Sequence, residues 1–560
     1  MTLQRRDFLI AAALCGHWSC KGGARKSRAP LLHPSAADAS LTRPAAPPTG
    51  PLHPERLTRY VDALPVPAVA KPNGTRADPQ DASKQLPYFQ IAMREIWVPV
   101  HRDLKPTRFW SYGSSVPGPT LEVQRGQAVL IEWQNELPQQ HFLPVDHTLC
   151  GAEATQPEVR TIVHVHGARV PPESDGNPLD WFTKGQSRVV RYPNGQDAAT
   201  LWYHDHAMGL ERLNHYAGLF GVFLIRDQVE AALNLPSGAH EVPLVICDRS
   251  FDEAGQLSYP TSGIADAPWV SEVYGDTFLL NGKLFPYFEV EPRRYRFRVV
   301  NASNARFLYL ALSNEQVFLQ VGSDQGLLAA PAPLKKLTLA PAERADILID
   351  FRNAAGTRLL LKSQAFELME FRVSAAEMPA EAPLPARLRP APRMPERSAT
   401  KTRLLTLNQY QDITVSGKPT CSTPPSAATP RMLMLLNGAR WLEPVTEKPM
   451  LGDTEIWSFV NVTDDVHPIH LHLVRFQILD RQQFDVDAFL TKGTLKLLNQ
   501  RVSPEPGEAG WKDTVRADAA VITRIIVKFE GYSGRYVWHC HVLEHAANEM
   551  MRPFEVLPRS

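Results

Sequence analysis

Four pairs of histidines share one spacing: His164 and His166, His204 and His206, His470 and His472, and His539 and His541. On a β-strand, residues i and i+2 point the same way about 6.7 Å apart, so each pair offers two parallel imidazoles. With metal–nitrogen bonds of about 2 Å, such a pair serves two neighbouring ions more comfortably than it chelates one. One His-x-His pair is common as surface or core chemistry. Eight imidazoles are enough for a multinuclear metal cluster.

Cys540 lies between His539 and His541, and strand alternation turns its sulfur away from the face the two rings share. That geometry calls for a second metal site, with His545, Met550 and His467 close by in sequence. Two His, one Cys and a weak axial Met make the ligand set of a type 1 blue-copper electron-transfer centre. Zinc accepts the same nitrogens and sulfur but is redox-inert, and its structural sites usually pair closely spaced cysteines. Di-iron sites require ligating carboxylates, which these motifs do not supply. Copper fits best. The covalent path from Cys540 into its two neighbours would then join the single ion to the cluster.

The segments HVHG at 164–167, WYHDHAMG at 202–209, HPIHLH at 467–472 and HCHVLEHAANEMM at 539–551 resemble the four copper motifs of multicopper oxidases. The likeness runs from about Leu57 to the end of the chain. VDALPVP, SDGNPLDWF, LNGK, APAERADILIDF and GWKDT look closest to the branch that holds bacterial spore-coat laccase, bilirubin oxidase and phenoxazinone synthase. The resemblance implies three cupredoxin-like Greek-key β-sandwich domains, four copper ions and reduction of dioxygen to water. By the same likeness His164 and His470 would hold type 2 copper, and His166, His204, His206, His472, His539 and His541 the type 3 pair. His467, Cys540 and His545 would hold type 1 copper, where electrons enter. Met551 competes for the axial position, and the family spacing after the last His selects Met550.

Two acidic positions matter. Asp175, in the SDG after the first pair, matches an acid that in this branch helps deliver protons; by composition alone it is a turn-forming Asp before Gly176. The residue after His545 is usually Glu in the branch and is Ala546 here, which puts the usual proton supply in doubt. Glu549 and a water chain are the candidate substitutes. His101, His141, His147, His215 and His240 read as hydrogen-bonded surface or core residues, and Trp181, Trp202 and Trp538 as packing around the motifs. Cys150, Cys247 and Cys421 permit no disulfide assignment from sequence.

Such pairs need strands to present them. Short runs rich in β-branched and aromatic residues, bounded by Gly, Pro, Asn and Asp, recur from about Tyr88: Thr120 to Val123, Ala128 to Trp133, Thr161 to Val165, Arg188 to Tyr192 and Leu219 to Ile225. They continue in Val242 to Ile246, Tyr295 to Val300, Phe318 to Val321 and Ala345 to Phe351, and again from Leu404. With 49 prolines in 560 residues the composition also favours short strands and ordered turns over long helices. An all-β chain of three sandwiches follows, expected at 56–228, 229–395 and 396–560, with a Pro-rich linker from about Met378 to Pro395.

The first 55 residues read differently. Arg5 and Arg6 precede Phe8, Leu9 and a short apolar stretch, the pattern of a twin-arginine export signal, and an Ala-, Pro- and Ser-rich spacer runs from about Gly23 to Pro54. Export to the periplasm or beyond is expected. Membrane attachment would need lipidation at Cys20, where His17 stands in place of the preferred Leu.

A net charge of +1, from 60 basic and 59 acidic residues, gives no polyanion-binding signal, so no nucleic-acid partner is expected. The function expected is laccase-like oxidation of phenols, aromatic amines or bilirubin-like pigments by a monomer, with dioxygen and a small organic reductant as partners. A cuprous-ion oxidase is the alternative, but the 11 methionines form no Met-rich segment. A non-enzymatic exported cupredoxin-fold protein would not need its full ligand set.

Overall fold

The computed structural model describes residues 50–377, 381–410 and 432–559. The export signal with Arg5, Arg6 and Cys20, the first residues of the Pro-rich linker (378–380), and Cys421 lie outside the described residues. Residues 381–395 of that linker contain no helix or strand.

The strands build three sandwiches in chain order. In the first, a five-stranded sheet containing Asp81–Val98 and Val129–Asn135 faces a four-stranded one containing Val163–His166, Ala199–Asp205 and Phe220–Arg226. The second spans strands from Glu241–Phe251 to Phe366–Val373, and the third those from Lys401–Tyr410 to Met551–Val556. Each buries its own apolar core between its two sheets. The wiring repeats as well. In every sandwich the first long strand pairs in parallel with a later one: Asp81–Val98 with Val129–Asn135, Glu241–Phe251 with Arg294–Asn301, and Lys401–Tyr410 with Thr454–Asn461. A parallel pair cannot be joined by a tight hairpin, so the chain crosses between sheets as a Greek key requires.

Strand alternation sorts the side chains that matter. Val163 and Val165 enter the first core, so His164 and His166 face outward. Ile469 and Leu471 enter the third core, leaving His470 and His472 on the other face. Tyr536, Trp538 and Cys540 point into that same core, while His539 and His541 face away from it. Trp538 packs 5.6 Å from Trp457 and 5.9 Å from Phe459, a brace directly behind the cysteine strand. Truncating such a buried aromatic to Ala costs about 3–5 kcal/mol. The outward face of the first sandwich thereby meets the outward face of the third, and the histidines line the seam.

Two strands lie earlier than the sequence pattern suggested: Gly74–Asp78 and Asp81–Val98 form a hairpin. The hairpin's charged and small residues are exposed on its outer half, which hid the apolar alternation.

Candidate metal centre

Backbone pairing sets the histidines opposite one another. His164 sits across from His204 in the first sandwich, and His470 from His539 in the third. Between the sandwiches, the rings of His164 and His472 stack at 3.8 Å and those of His166 and His470 at 3.5 Å. Three groups of imidazoles result, the donor atoms of each lying within 4.8 Å: His166 with His204 and His541, His206 with His472 and His539, and His164 with His470 and His472. Every group draws on both sandwiches, and all eight rings are buried.

The tautomers follow from the outer hydrogen bonds. His164, His204, His470 and His539 each place Nδ1 within 2.7–2.9 Å of a backbone carbonyl, of Asp175, Asp205, Asp513 and Cys540 respectively. A carbonyl only accepts, so Nδ1 carries the hydrogen and Nε2 keeps its lone pair. Nε2 of His164, His204 and His470 has no donor among the described residues, and Nε2 of His539 faces Nε2 of His206 at 3.3 Å and of His472 at 3.4 Å. Lone pairs aimed at one another in a dry space repel unless a cation lies between them. Burial pushes His204 and His470 down to about 3 and His539 to about 4, so the rings are neutral, the form a metal ligand needs. His166 differs. Its Nε2 meets Asp513 Oδ1 and Thr514 Oγ1, both at 3.1 Å, which leaves Nδ1 as the inward atom.

A second group lies on the core side of the third sandwich. Cys540 Sγ is 3.5 Å from His467 Nδ1 and 3.6 Å from His545 Nδ1, and the two nitrogens are 3.2 Å apart. Thr463 Oγ1 holds the far side of the His467 ring at 2.7 Å. Burial pushes the Cys540 thiol far up, so its deprotonation requires a bound cation. Met550 packs in the same core as Cys540 and is tied to the site by its backbone, donating to the His545 carbonyl and accepting from the Cys540 N–H. Met551 packs elsewhere, with Cys150, Met208, Trp441 and Val537. The donor set of one thiol, two imidazoles and a nearby thioether suits copper. With copper loaded, Met550→Leu therefore keeps the blue absorption and raises the reduction potential, whereas Met551→Leu leaves it unchanged. Redox titration checks this, and the reverse outcome would reassign the axial position.

Asp175 caps the 3-10 turn Pro172–Ser174 and does more than turn the chain. Its Oδ2 accepts from His472 Nδ1 at 2.8 Å, its carbonyl accepts from His164 Nδ1, and Oδ1, 3.6 Å from His164 Nδ1, has no hydrogen-bond partner among the described residues. Burial pushes its carboxyl well up. Gly176 follows at φ +82 against the Val163 carbonyl, a position that admits no side chain. Ala546 is fully buried in the helix Leu543–Ala547. Glu549 does not replace the missing acid: its carboxylate takes Arg440 Nη1 at 2.8 Å and the Trp441 N–H at 3.0 Å.

One residue of the site was given no role by sequence reasoning. Asp513, within GWKDT, accepts from His470 through its carbonyl, touches His166 through Oδ1, and is clasped by Arg344 at 2.7 and 2.6 Å. Burial opposes its charge, yet Arg344 holds its carboxyl down at about 2. Its segment was visible, its partner was not. Asp513→Asn should weaken copper retention by the histidine cluster by about 10–100-fold, because the carboxylate orients two rings at once. Equilibrium dialysis against a chelator measures this, and retention equal to wild type would refute it.

The five other histidines singled out from the sequence make structural contacts. His101 and His147 bond to the carbonyls of Thr58 and Ala152, His240 meets Glu291, and His215 meets Asn304. The His141 ring lies 4.2 Å from that of Trp110, tilted against it. Trp202 lies 4.4 Å from the His204 ring. Cys150 is disulfide-bonded, and Cys247 and Cys540 are free.

Two sequence models of the family described as multicopper oxidase match this chain, over residues 155–230 and 405–560, which between them contain every histidine of both groups. A laccase of Bacillus subtilis (strain 168) is 44% identical over 528 residues, covering 89% of this chain and 99% of that protein. The chain belongs to the multicopper oxidases. A laccase of Bacillus stratosphericus is 42% identical over 529 residues, with 90% and 99% covered. Among solved structures, a laccase from Pediococcus acidilactici aligns with a TM-score of 0.71 at 26% identity, covering 90% of this chain and 95% of that one. A multicopper oxidase of Aquifex aeolicus aligns at 0.68, also at 26% identity, with 90% and 100% covered. This multicopper oxidase is laccase-like, and as such uses copper, dioxygen and a reductant.

Proposed function

We propose that this laccase-like oxidase holds four copper ions and draws single electrons from phenols, aromatic amines or bilirubin-like pigments. His467, Cys540 and His545, with Met550 axial, would hold the type 1 ion. His164 and His470 would hold type 2, and the trios His166, His204, His541 and His206, His472, His539 the type 3 pair. Bound copper would supply one-electron redox chemistry and the binding of dioxygen.

The chain's own residues do the rest. Cys540 is covalently continuous with His539 and His541, so the thiol site and the imidazole cluster share one short stretch of backbone. A proton held at Asp175 Oδ1 leaves Oδ2 free to accept from His472, which suits that carboxyl to supply protons without releasing the ring. Arg344 and Asp513 fix ring orientation. The observation that carries the reading is the sorting of lone pairs into two trios and a pair on one side of the cysteine strand, with the thiol group on the other.

Arg5 and Arg6 support export of the folded protein by the twin-arginine route to the periplasm or outside the cell. Membrane attachment would come only through Cys20, and no helix among the described residues is long and apolar enough to cross a membrane. A monomer is proposed, with three domains divided near 228 and 395.

The test is a steady-state comparison on copper-loaded protein of a phenol, bilirubin and cuprous ion, with dioxygen uptake recorded. Turnover of the organic reductants is expected. Uptake driven by cuprous ion alone would overturn the reading.

A further inference from the structure

One buried acid takes no part in the sites above. Glu211 opens the helix Glu211–Tyr216, shortly after His206. That helix packs on the strand Ala199–Asp205 and on the helix Leu543–Ala547, which carries His545. Residues 211, 214 and 215 share one helical face. Asn214 on that face donates to Asp205 Oδ1 at 2.8 Å, and the His215 ring lies 6.2 Å from the His204 ring. The face therefore abuts the strand that presents His204 and His206.

Glu211 is 2% exposed, and among the described residues no side chain hydrogen-bonds its carboxylate, on which only the backbone N–H groups of Gly209 and Glu211 act. Beside it, Nε and Nη2 of Arg160, Oδ1 of Asn214 and Nε2 of His215 are likewise without partners. The charged groups that act on Glu211 are Asp205 from the strand, Arg212 from its own helix, and Arg160. Glu544 of the facing helix acts on Arg212, and the partly exposed Glu153 acts on Arg160. A buried polar group left open in this way in a native fold calls for a functional explanation.

We propose that Glu211 is a proton-carrying residue of dioxygen reduction, filled from the Arg160 side and emptied toward the strand of His204 and His206. This rests on the oxidase reading. Reducing one dioxygen to two waters consumes four electrons from the reductant and four protons, and each proton that leaves Glu211 is replaced by one from solvent, so the residue ends each turnover unchanged. Burial pushes its carboxyl up to about 8, so it holds its proton at neutral pH. With Ala546 in place of an acid, Glu549 committed to Arg440 and Glu544 held through Oε1 by Tyr259 and Asn304, Glu211 is the carboxyl of the helix pair that no side chain holds among the described residues.

The test compares wild type, Glu211→Gln and Glu211→Asp. In the copper-free proteins at neutral pH, the infrared carbonyl stretch of a protonated carboxyl should lose one component in Glu211→Gln. In the copper-loaded proteins, Glu211→Gln should lower kcat by about 10²-fold and enlarge the solvent isotope effect, with reductant KM and copper content unchanged. Glu211→Asp should recover part of the loss. A Gln variant with wild-type kcat and isotope effect, or with an unaltered infrared band, overturns the proposal. Should Glu211→Gln fail to hold copper, the copper-free spectra and Glu211→Asp decide. Wild type that consumes no dioxygen would instead overturn the oxidase reading.

Discussion

Cys540→Ser abolishes the intense visible absorption of the copper-loaded protein and drops oxidase activity to background, while copper content falls by only about one of the four ions proposed. Among the described residues the thiol is the one sulfur donor that meets two imidazole Nδ1 atoms, and a serine hydroxyl of similar size does not replace a thiolate. The imidazole cluster lies on the opposite face of the strand and keeps its eight rings. Full blue colour in this variant would sink the assignment. Loss of all the copper would show that the two groups depend on one another more than the alternation of the strand implies.

Asp175→Asn lowers kcat by about 10²-fold with reductant KM and blue absorption unchanged. Asparagine can still accept from His472 Nδ1 through its carbonyl oxygen, so the 2.8 Å contact survives. What it loses is the capacity to hold and pass a proton at the other oxygen, a step downstream of reductant oxidation. Stopped-flow separates the two: reduction under anaerobic conditions proceeds at the wild-type rate, and reoxidation by dioxygen is slow. Slow reduction with normal reoxidation would mean that Asp175 supports the thiol site instead.

The histidine pairs were legible because their spacing equals the period of a strand, so sequence alone says that both rings share a face. The opposite orientation of Cys540 follows from the same period, and the structure shows it. Most strands were visible for the same reason. Asp513 and Arg344 were not, since they meet across 169 positions and between two sandwiches, and no local pattern encodes such a meeting. Glu549 misled by proximity: it lies near His545 in sequence, but a backbone at φ +69 swings its carboxylate to Arg440. Glu211 stayed hidden for the complementary reason, a charged residue opening a helix being ordinarily a solvated one.

Every imidazole group is shared between the first and third sandwiches, and His206 and His539, which face each other at 3.3 Å, are 333 positions apart. An ion held there is a clip on a very long loop, of the kind that most restricts an unfolded chain. Copper held there would thus also be a clasp between the first and third sandwiches. Because only the folded chain presents the site, free metal at a thousandfold excess over its dissociation constant adds about 4 kcal/mol to stability by mass action. The unfolding temperature of this oxidase is accordingly expected to rise with copper concentration, and chain that folds before it finds its metal lacks that added stability.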